Sequence, residues 1–418
     1  MDPSVDLIRR DRSFAWYWAG QGVSSLGSQV TVFALPLVTA VVLDGSPGQV
    51  GAVAAAGMLP YLLFSLLAGH WLEGRQGRRS MIPANLVQAA LVAVIPLASW
   101  GGWLSIPLVA LVAFVAGTAG LVFGLSAFAY VPSLVHVDQL AAANRAVQGT
   151  ATVDEIVGPG IAGALVGAVG PAGALIIDAA SYLASALGLA KSRPRHAPPP
   201  RARVPVLTGM RILFTNVHLR ALTIHAAVYN LADQIFLLNL VLWVVQGQGV
   251  TAEAYGLALS AAGVGGLIGT VTALRLADRL GIGRAFAVSL GLSCFVPLAV
   301  GLLDLEGAAL AWCLGALMLV AAVGLGNANV YSLTIRQQII PPDQLSRSAG
   351  AYTQVMYGSI PVGAALAGVI GQYLGTRAGV VIGAVGLALS AAPMLTRTAL
   401  SLRLPATATA TTAIDHHR

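Results

Sequence analysis

From Ser13 to Leu43 the chain carries no aspartate, glutamate, lysine or arginine. The same silence recurs over 45–72, 80–137, 254–274, 285–303, 307–335, 348–376 and 378–396. Each run reaches the roughly 18–20 residues that a helix needs to cross a bilayer. A soluble chain cannot hide so many apolar side chains. Of the 418 residues 57% are hydrophobic and only 9% charged, too little polar surface to clothe a globule. The 80–137 run is long enough for two spans, turning at SWGGWLS (99–105), with Trp100 and Trp103 suited to the headgroup boundary. Further spans with one or two charges fall near 147–168, 171–190 and 219–244. The expectation is an all-α integral membrane protein of twelve transmembrane helices. No run alternates apolar and polar residues, which excludes a β-barrel.

The few charges set the orientation. With the N-terminus in the cytoplasm, 22 of the 23 lysines and arginines fall on the inner side and only Arg377 outside. Asp44, Glu253, Asp304 and Glu306 lie in outer loops. That is the positive-inside pattern, and an even number of spans returns the C-terminus to the cytoplasm. The net charge of +7 therefore reports topology; no basic patch interleaved with aromatics points to nucleic acid. The N-terminus MDPSVDLIRRDRSF is polar and its first apolar stretch exceeds a signal core, so the first helix is expected to stay as an anchor. Cys294 and Cys313 both fall inside spans, which argues against a disulfide framework.

The chain also repeats itself at one offset. LGSQV (26–30) answers to LADQI (231–235), Glu73 to Asp278, VDQL (137–140) to PDQL (342–345), and Gly158 and Gly163 to Gly363 and Gly368, each 205 residues apart. Two six-helix halves of like orientation follow, 1–190 and 219–396. A basic, proline-rich cytoplasmic linker (191–218) joins them and a low-complexity tail (397–418) follows. Parallel six-span repeats are a transporter architecture with the substrate path between the halves.

The stretch GHWLEGRQGRRS (69–80) concentrates charge between two spans. It resembles the loop between helices two and three of the major facilitator superfamily, matching at Gly69, Glu73, Arg78 and Arg79. Glu73 stands for the usual aspartate, and Gly74 and Gln76 depart from the pattern. SSLGSQVTVFALPL (24–37), IVGPGIAGALVGAVGP (156–171) and ALIIDAASYLASAL (174–187) resemble the bacterial branch of enterobactin-exporter and macrolide-efflux type. The resemblance implies a gating latch: Glu73 near a helix N-terminus, where the helix dipole favours a carboxylate, and Arg75, Arg78 and Arg79 pairing with acids as the inner side closes. Asp278, Arg279 and Arg284 form its echo. Topology alone accounts for the arginines but not for that echo.

An ionisable residue inside a span is a functional candidate, because burying it is costly unless it is paired or hydrated. Four acids qualify: Asp154, Glu155, Asp178 and Asp233. His225, Tyr229 and Asp233 share a helix face by their spacing of four. Asp233 reads either as a proton or cation site or as a structural hydrogen-bond partner. Its counterpart in the first half is Ser28, beside Gln21, Ser24, Ser25 and Gln29. Asp154 and Glu155 point about 100° apart on a helix, so both cannot face the cavity fully. Glu155 is a coupling carboxylate or the partner of an inner arginine such as Arg145. Asp178 reads as structural. Gly158, Pro159 and Gly163 resemble the glycine–proline signature of antiporters, glycine allowing close packing and proline a kink. Asn327 and Tyr331, four apart, line the path or bond between helices. Phe123, Ser126 and Tyr130 make a face on the fourth span, which lacks the arginine that proton antiporters of the superfamily often carry there.

No phosphate-binding glycine-lysine loop occurs, the seven histidines do not cluster at metal-ligand spacing, and no catalytic constellation appears. The expectation is a monomeric, non-enzymatic secondary exporter in the bacterial cytoplasmic membrane. It needs no cofactor or metal, draws on a proton gradient, and has the lipid bilayer and an amphipathic small molecule (an antibiotic, drug or siderophore) as partners. An importer or facilitator of the same fold is the alternative, and a non-transporting membrane sensor stands further off.

Overall fold

A computed structural model describes residues 3–72, 77–136, 139–195, 206–341 and 344–394. Among them every regular element is helical. The order is α1 (Pro3–Arg10), α2 (Arg12–Leu37), α3 (Pro47–Leu72), α4 (Gly77–Trp100), α5 (Ile106–Leu134) and α6 (Leu140–Lys191). Then come α7 (Val206–Thr215), α8 (Val217–Val241), α9 (Ala252–Leu280), α10 (Ile282–Phe295), α11 (Gly307–Ile339), α12 (Leu345–Leu374) and α13 (Thr376–Ser390). Eleven helical stretches among the described residues are long and apolar enough to cross a membrane. The longest, α6, is two spans. At Gly170 (φ 76°, ψ 163°) the backbone leaves the helix, in a region that a Cβ disfavours. The two arms then run antiparallel along α2: Thr150 meets Trp18 and Gly158 meets Gln29 on one arm, while Ser181 meets Gly27 and Gly188 meets Gly20 on the other. Twelve spans result.

The 205-residue echo is carried by the backbone. Gly375 (φ 89°, ψ 154°) turns α12 into α13 as Gly170 turns the arms of α6, and 375 − 170 = 205. Asp11 caps α2 by accepting from the Ser13 and Phe14 amides at 3.0 and 3.1 Å. Asn216, again 205 on, caps α8 through the His218 and Leu219 amides at 2.9 and 3.3 Å. Each cap satisfies donors that an opening helix leaves free. α2 and α8 also end alike, in a widened turn at Val38–Val42 and Leu242–Gly247. Two six-helix bundles follow, α2–α6 and α8–α13. Val23, Leu111, Leu187, Val271 and Leu274 stay exposed on their flanks, as a lipid-facing surface requires.

Two short helices lie outside the spans: α1 before the first, and α7 inside the stretch read as linker, packed against α12. Pro194 follows closely on the break after Lys191, whereas Val206–Thr215 is free of proline and coils. The connections fall at two ends. The linker end gathers Leu72 and Gly77, His136 and Gln139, Lys191, and Pro341 and Gln344. The distal end gathers 43–46, Gly170, 248–251, 303–306 and Gly375. Trp100 and Trp103 are exposed at the distal end, flanking the Gly101–Gly102 turn.

Candidate functional site

The halves touch through α3 with α12 and α6 with α9, and the repeat relates the two contacts. Gly51 faces Gly368, and Gly256 faces Gly163; a Cβ built on Gly51 stands 2.5 Å from Gly368 Cα, and one built on Gly256 stands 3.1 Å from Gly163 Cα. Only hydrogen in place of a side chain allows helices this close. Around these points Gly48 N donates to Gln372 Oε1 at 3.3 Å, Gly160 N to Ser260 Oγ at 2.9 Å, and Gln246 Nε2 to Ala40 O at 2.9 Å. Toward the linker end the α3–α12 contact closes with Tyr61 stacked on Tyr357, ring centroids 6.1 Å apart. The result is a clasp in the distal part of the spans.

A cavity of about 670 Å³ follows α2 from Gln21 to Pro36, beneath this clasp. Its wall is mostly apolar, drawn from α2, α3, α4 and α5 and from Leu237, Leu238, Val241 and Tyr255 of the second half. Most of its polar groups sit on the first-half side, among them Gln21, Ser28, Tyr61, Asn85, Gln88 and Tyr182, and Gln234 of α8 joins them from the second half. Ser28 Oγ and Tyr182 Oη lie 3.1 Å apart, and Asn85 Nδ2 donates to Ser185 Oγ at 2.8 Å. A few fixed polar groups on an apolar wall are what orient a small amphipathic ligand. Asn85 and Gln88 went unnoticed in the sequence, because they sit in an otherwise apolar span whose inward face only packing reveals.

The candidate carboxylates part company here. Asp178 is fully buried and accepts from Thr31 Oγ1 and, at 3.0 Å, from Ser181 Oγ. It ties the second arm of α6 to α2, the structural role. Asp154 is buried against α2 with Ser25 as a hydrogen-bonding neighbour, and its Oδ2 has no partner. Glu155 is exposed beside the α9 crossing, its carbonyl facing Gly263, and makes no ion pair among the described residues. Asp233 lies beside Tyr229 and Tyr255 and makes no hydrogen bond or ion pair among the described residues.

His225 does share a face with Tyr229 and Asp233, but that face turns into the second bundle rather than the cavity. His225 Nδ1 donates to the Ser390 carbonyl of α13 at 2.8 Å and its ring packs on Tyr229. Tyr331 likewise stays off the path: buried, it donates to Ala273 O of α9 at 2.6 Å. Asn327 Nδ2 bonds Val323 O within its own helix at 3.0 Å, leaving Oδ1 buried and unpaired. Of the face on the fourth span, α5, Phe123 reaches the cavity, whereas Tyr130 packs edge-on against Tyr17 and meets Ser192 Oγ at 2.6 Å. Gln29 lines the cavity and packs on Gly158, and Pro159 is part of the wall.

In the charged stretch, Glu73 and Arg75 lie outside the described residues, and Gly69 is in the last turn of α3. Arg78 meets a helix end rather than an acid: Nη2 donates to Ala190 O at 2.6 Å, at the C-terminus of α6, where unpaired carbonyls favour a cation. Arg79, Asp278, Arg279 and Arg284 are exposed and make no ion pair among the described residues. The linker end has a clamp that sequence reading missed. Arg195 reaches back to the capping Asp11 at 2.9 Å and to His136 Nε2 at 3.2 Å. Asp11 is legible as a helix cap, but its partner 184 residues on is not.

The sequence matches the profile described as Major Facilitator Superfamily over residues 17–364. It is 27% identical over 364 residues to an uncharacterized MFS-type transporter, y4rN, of Sinorhizobium fredii, covering 83% of this chain and 86% of that one. It is also 27% identical over 416 residues to the multidrug efflux pump Tap of Mycobacterium bovis, covering 92% and 91%. In fold it is similar to a bacterial homologue of the iron transporter ferroportin in its inward-facing state, with TM-score 0.76, 16% identity and 94% and 99% coverage. The nucleoside transporter NupG gives TM-score 0.71 at 14% identity, covering 91% and 98%.

Proposed function

The chain belongs to the major facilitator superfamily, and from that premise we propose that it exports an amphipathic small molecule such as an antibiotic, drug or siderophore, by alternating access driven by proton entry. It is a multi-pass membrane transporter. The observation that carries the finer reading is the cavity: about 670 Å³, largely apolar, with sparse hydrogen-bonding groups, lying beneath a distal clasp. Export draws support from the relative named as a multidrug efflux pump. The linker end is the cytoplasmic one in this reading, since Arg12, Arg78, Arg79, Arg193, Arg195 and Arg284 gather there, and the membrane is the bacterial cytoplasmic one. The cavity then waits, in this conformer, on the side from which an exporter loads. Asp233 is the proposed proton site, a carboxyl midway along α8 with no partner among the described residues.

Inside-out vesicles with an acidified lumen test the proposal. On adding a panel of amphipathic natural products, at least one should alkalinise the lumen in vesicles carrying the chain and not in controls. Asp233→Asn should abolish that response while the protein inserts normally. Silence from inserted, folded protein, or an undiminished response from Asp233→Asn, counts against proton-coupled export through this residue. Because one structural neighbour is named as a nucleoside transporter, import is the second reading; net uptake into right-side-out vesicles would select it.

A further inference from the structure

Fixed charge is distributed one-sidedly along the spans. Every arginine and lysine among the described helices lies in the first or last two turns of its helix, as at Arg145, Arg220, Arg275, Arg336 and Arg377. The mid-span charges are four, all acidic: Asp154, Glu155, Asp178 and Asp233. An anionic ligand in the cavity would thus find no cation at its own depth, and a cation would find carboxylates.

Two buried acceptors on or just behind the cavity wall are also left without a donor among the described residues. Gln21 is on the cavity wall and its Oε1 has no hydrogen-bond partner. Asp154, directly behind the wall at Ser25, is 5% exposed, and its Oδ2 has none either. A buried acceptor without a donor is costly, the more so when charged, so such groups ask for an incoming N–H. Asp178, by contrast, is already satisfied by Thr31 and Ser181 and has nothing to offer. The same cavity is lined by Phe33, Tyr61, Phe123 and Tyr255, whose ring faces attract a cation and its apolar body.

We infer that the cavity selects protonated amines: lipophilic monocations whose ammonium N–H bonds to Gln21 Oε1 and pairs with Asp154 through the wall at Ser25, while the apolar body lies among the rings. The inference rests on the transport reading above and names its substrate class. It further separates the roles of two carboxylates, Asp154 for the ligand and Asp233 for the proton. A quaternary ammonium keeps the charge but has no N–H, so it satisfies the rings and leaves Gln21 unpaired.

Equilibrium binding to the full chain in lipid nanodiscs tests this without any gradient. The probes are N-methyl-naphthylmethylamine, its trimethylammonium counterpart and its N-acetyl amide. The amine should bind tighter than either analogue by about tenfold or more, the size of a hydrogen bond to a charged group. Asp154→Asn should weaken the amine by a similar factor and leave the amide unchanged, while Glu155→Gln should leave amine binding intact. Equal affinity for all three probes, no binding of the amine to monodisperse protein, or an Asp154→Asn variant that binds amine normally overturns the inference. The three-probe comparison on the unaltered chain stands even if Asp154→Asn fails to fold. Amine selectivity with no proton flux in vesicles would sink the coupling reading alone; proton flux driven only by uncharged compounds would sink this one alone.

Discussion

The two halves share a backbone and differ inside. Residue by residue at the 205 offset, Ser28, Asn85, Tyr182 and Asp178 of the first half stand where the second has Asp233, Leu290, Leu387 and Gly383. In the first half these positions build hydrogen bonds around a cavity. In the second, Leu290 and Leu387 are sealed into apolar clusters, and Gly383 lets α13 lie against the Phe236 backbone of α8. Tyr331 makes the contrast sharper. It bridges α11 to Ala273 of α9, whereas its counterpart, Ser126, leaves a buried hydroxyl with no partner. Glycine corners and caps are what the repeat holds constant. The cavity wall takes most of its polar groups from the first half, while the second keeps His225, Asn327 and Tyr331 bonded within its own bundle, which points to a division of labour: the first half offers most of the recognition surface, the second the proposed proton site.

The clasp is where the halves should still behave alike. Gly51→Leu and Gly256→Leu each drive a side chain into facing backbone, and overpacking of this kind costs about 1–3 kcal/mol. Distal closure should weaken by about tenfold or more in both, read as lost transport and as raised labelling of distal-side cysteines introduced in α3 or α9. A large loss in one and none in the other would break the symmetry of the clasp. A smaller effect is expected at Asp178. Asp178→Gly gives the first half the second half's residue and leaves Ser181 its bond to the carbonyl of residue 178, but strands the Thr31 hydroxyl at a cost of about 1–3 kcal/mol, seen as a lower thermal midpoint in detergent. An unchanged midpoint would mean that the first interior needs no network. Smallest is the pair at the next level: Tyr331→Phe should cost about 1 kcal/mol and Ser126→Ala close to nothing. Equal costs would erase the contrast between a bonded tyrosine and an unbonded serine.

How far did the sequence reach into the site? Gln29 and Phe123 were singled out by pattern and line the cavity, as does Pro159, which resemblance had marked for a kink. His225 and Tyr331 were found by the same pattern and do not: their polar atoms bond to Ser390 and Ala273 within the second half. Helical spacing groups side chains onto a face, but it does not say which neighbour that face meets. The clamp of Arg195 on Asp11 and the donation of Arg78 to Ala190 were invisible for a related reason, since they join residues 184 and 112 positions apart.

What the sequence determined by itself is what a bilayer reads along one dimension: the length and hydropathy of each span, the charges that bound them, and a duplication whose glycines at 170 and 375 turn the chain alike. Which acid is satisfied and which left waiting was decided only by the tertiary structure. Successive residues on a helix point about 100° apart, so Asp154 and Glu155, neighbours in the chain, part company. One is buried behind the cavity wall with an unpaired oxygen, the other exposed beside α9, and the rotation of α6 against α2 and α9 fixes which is which.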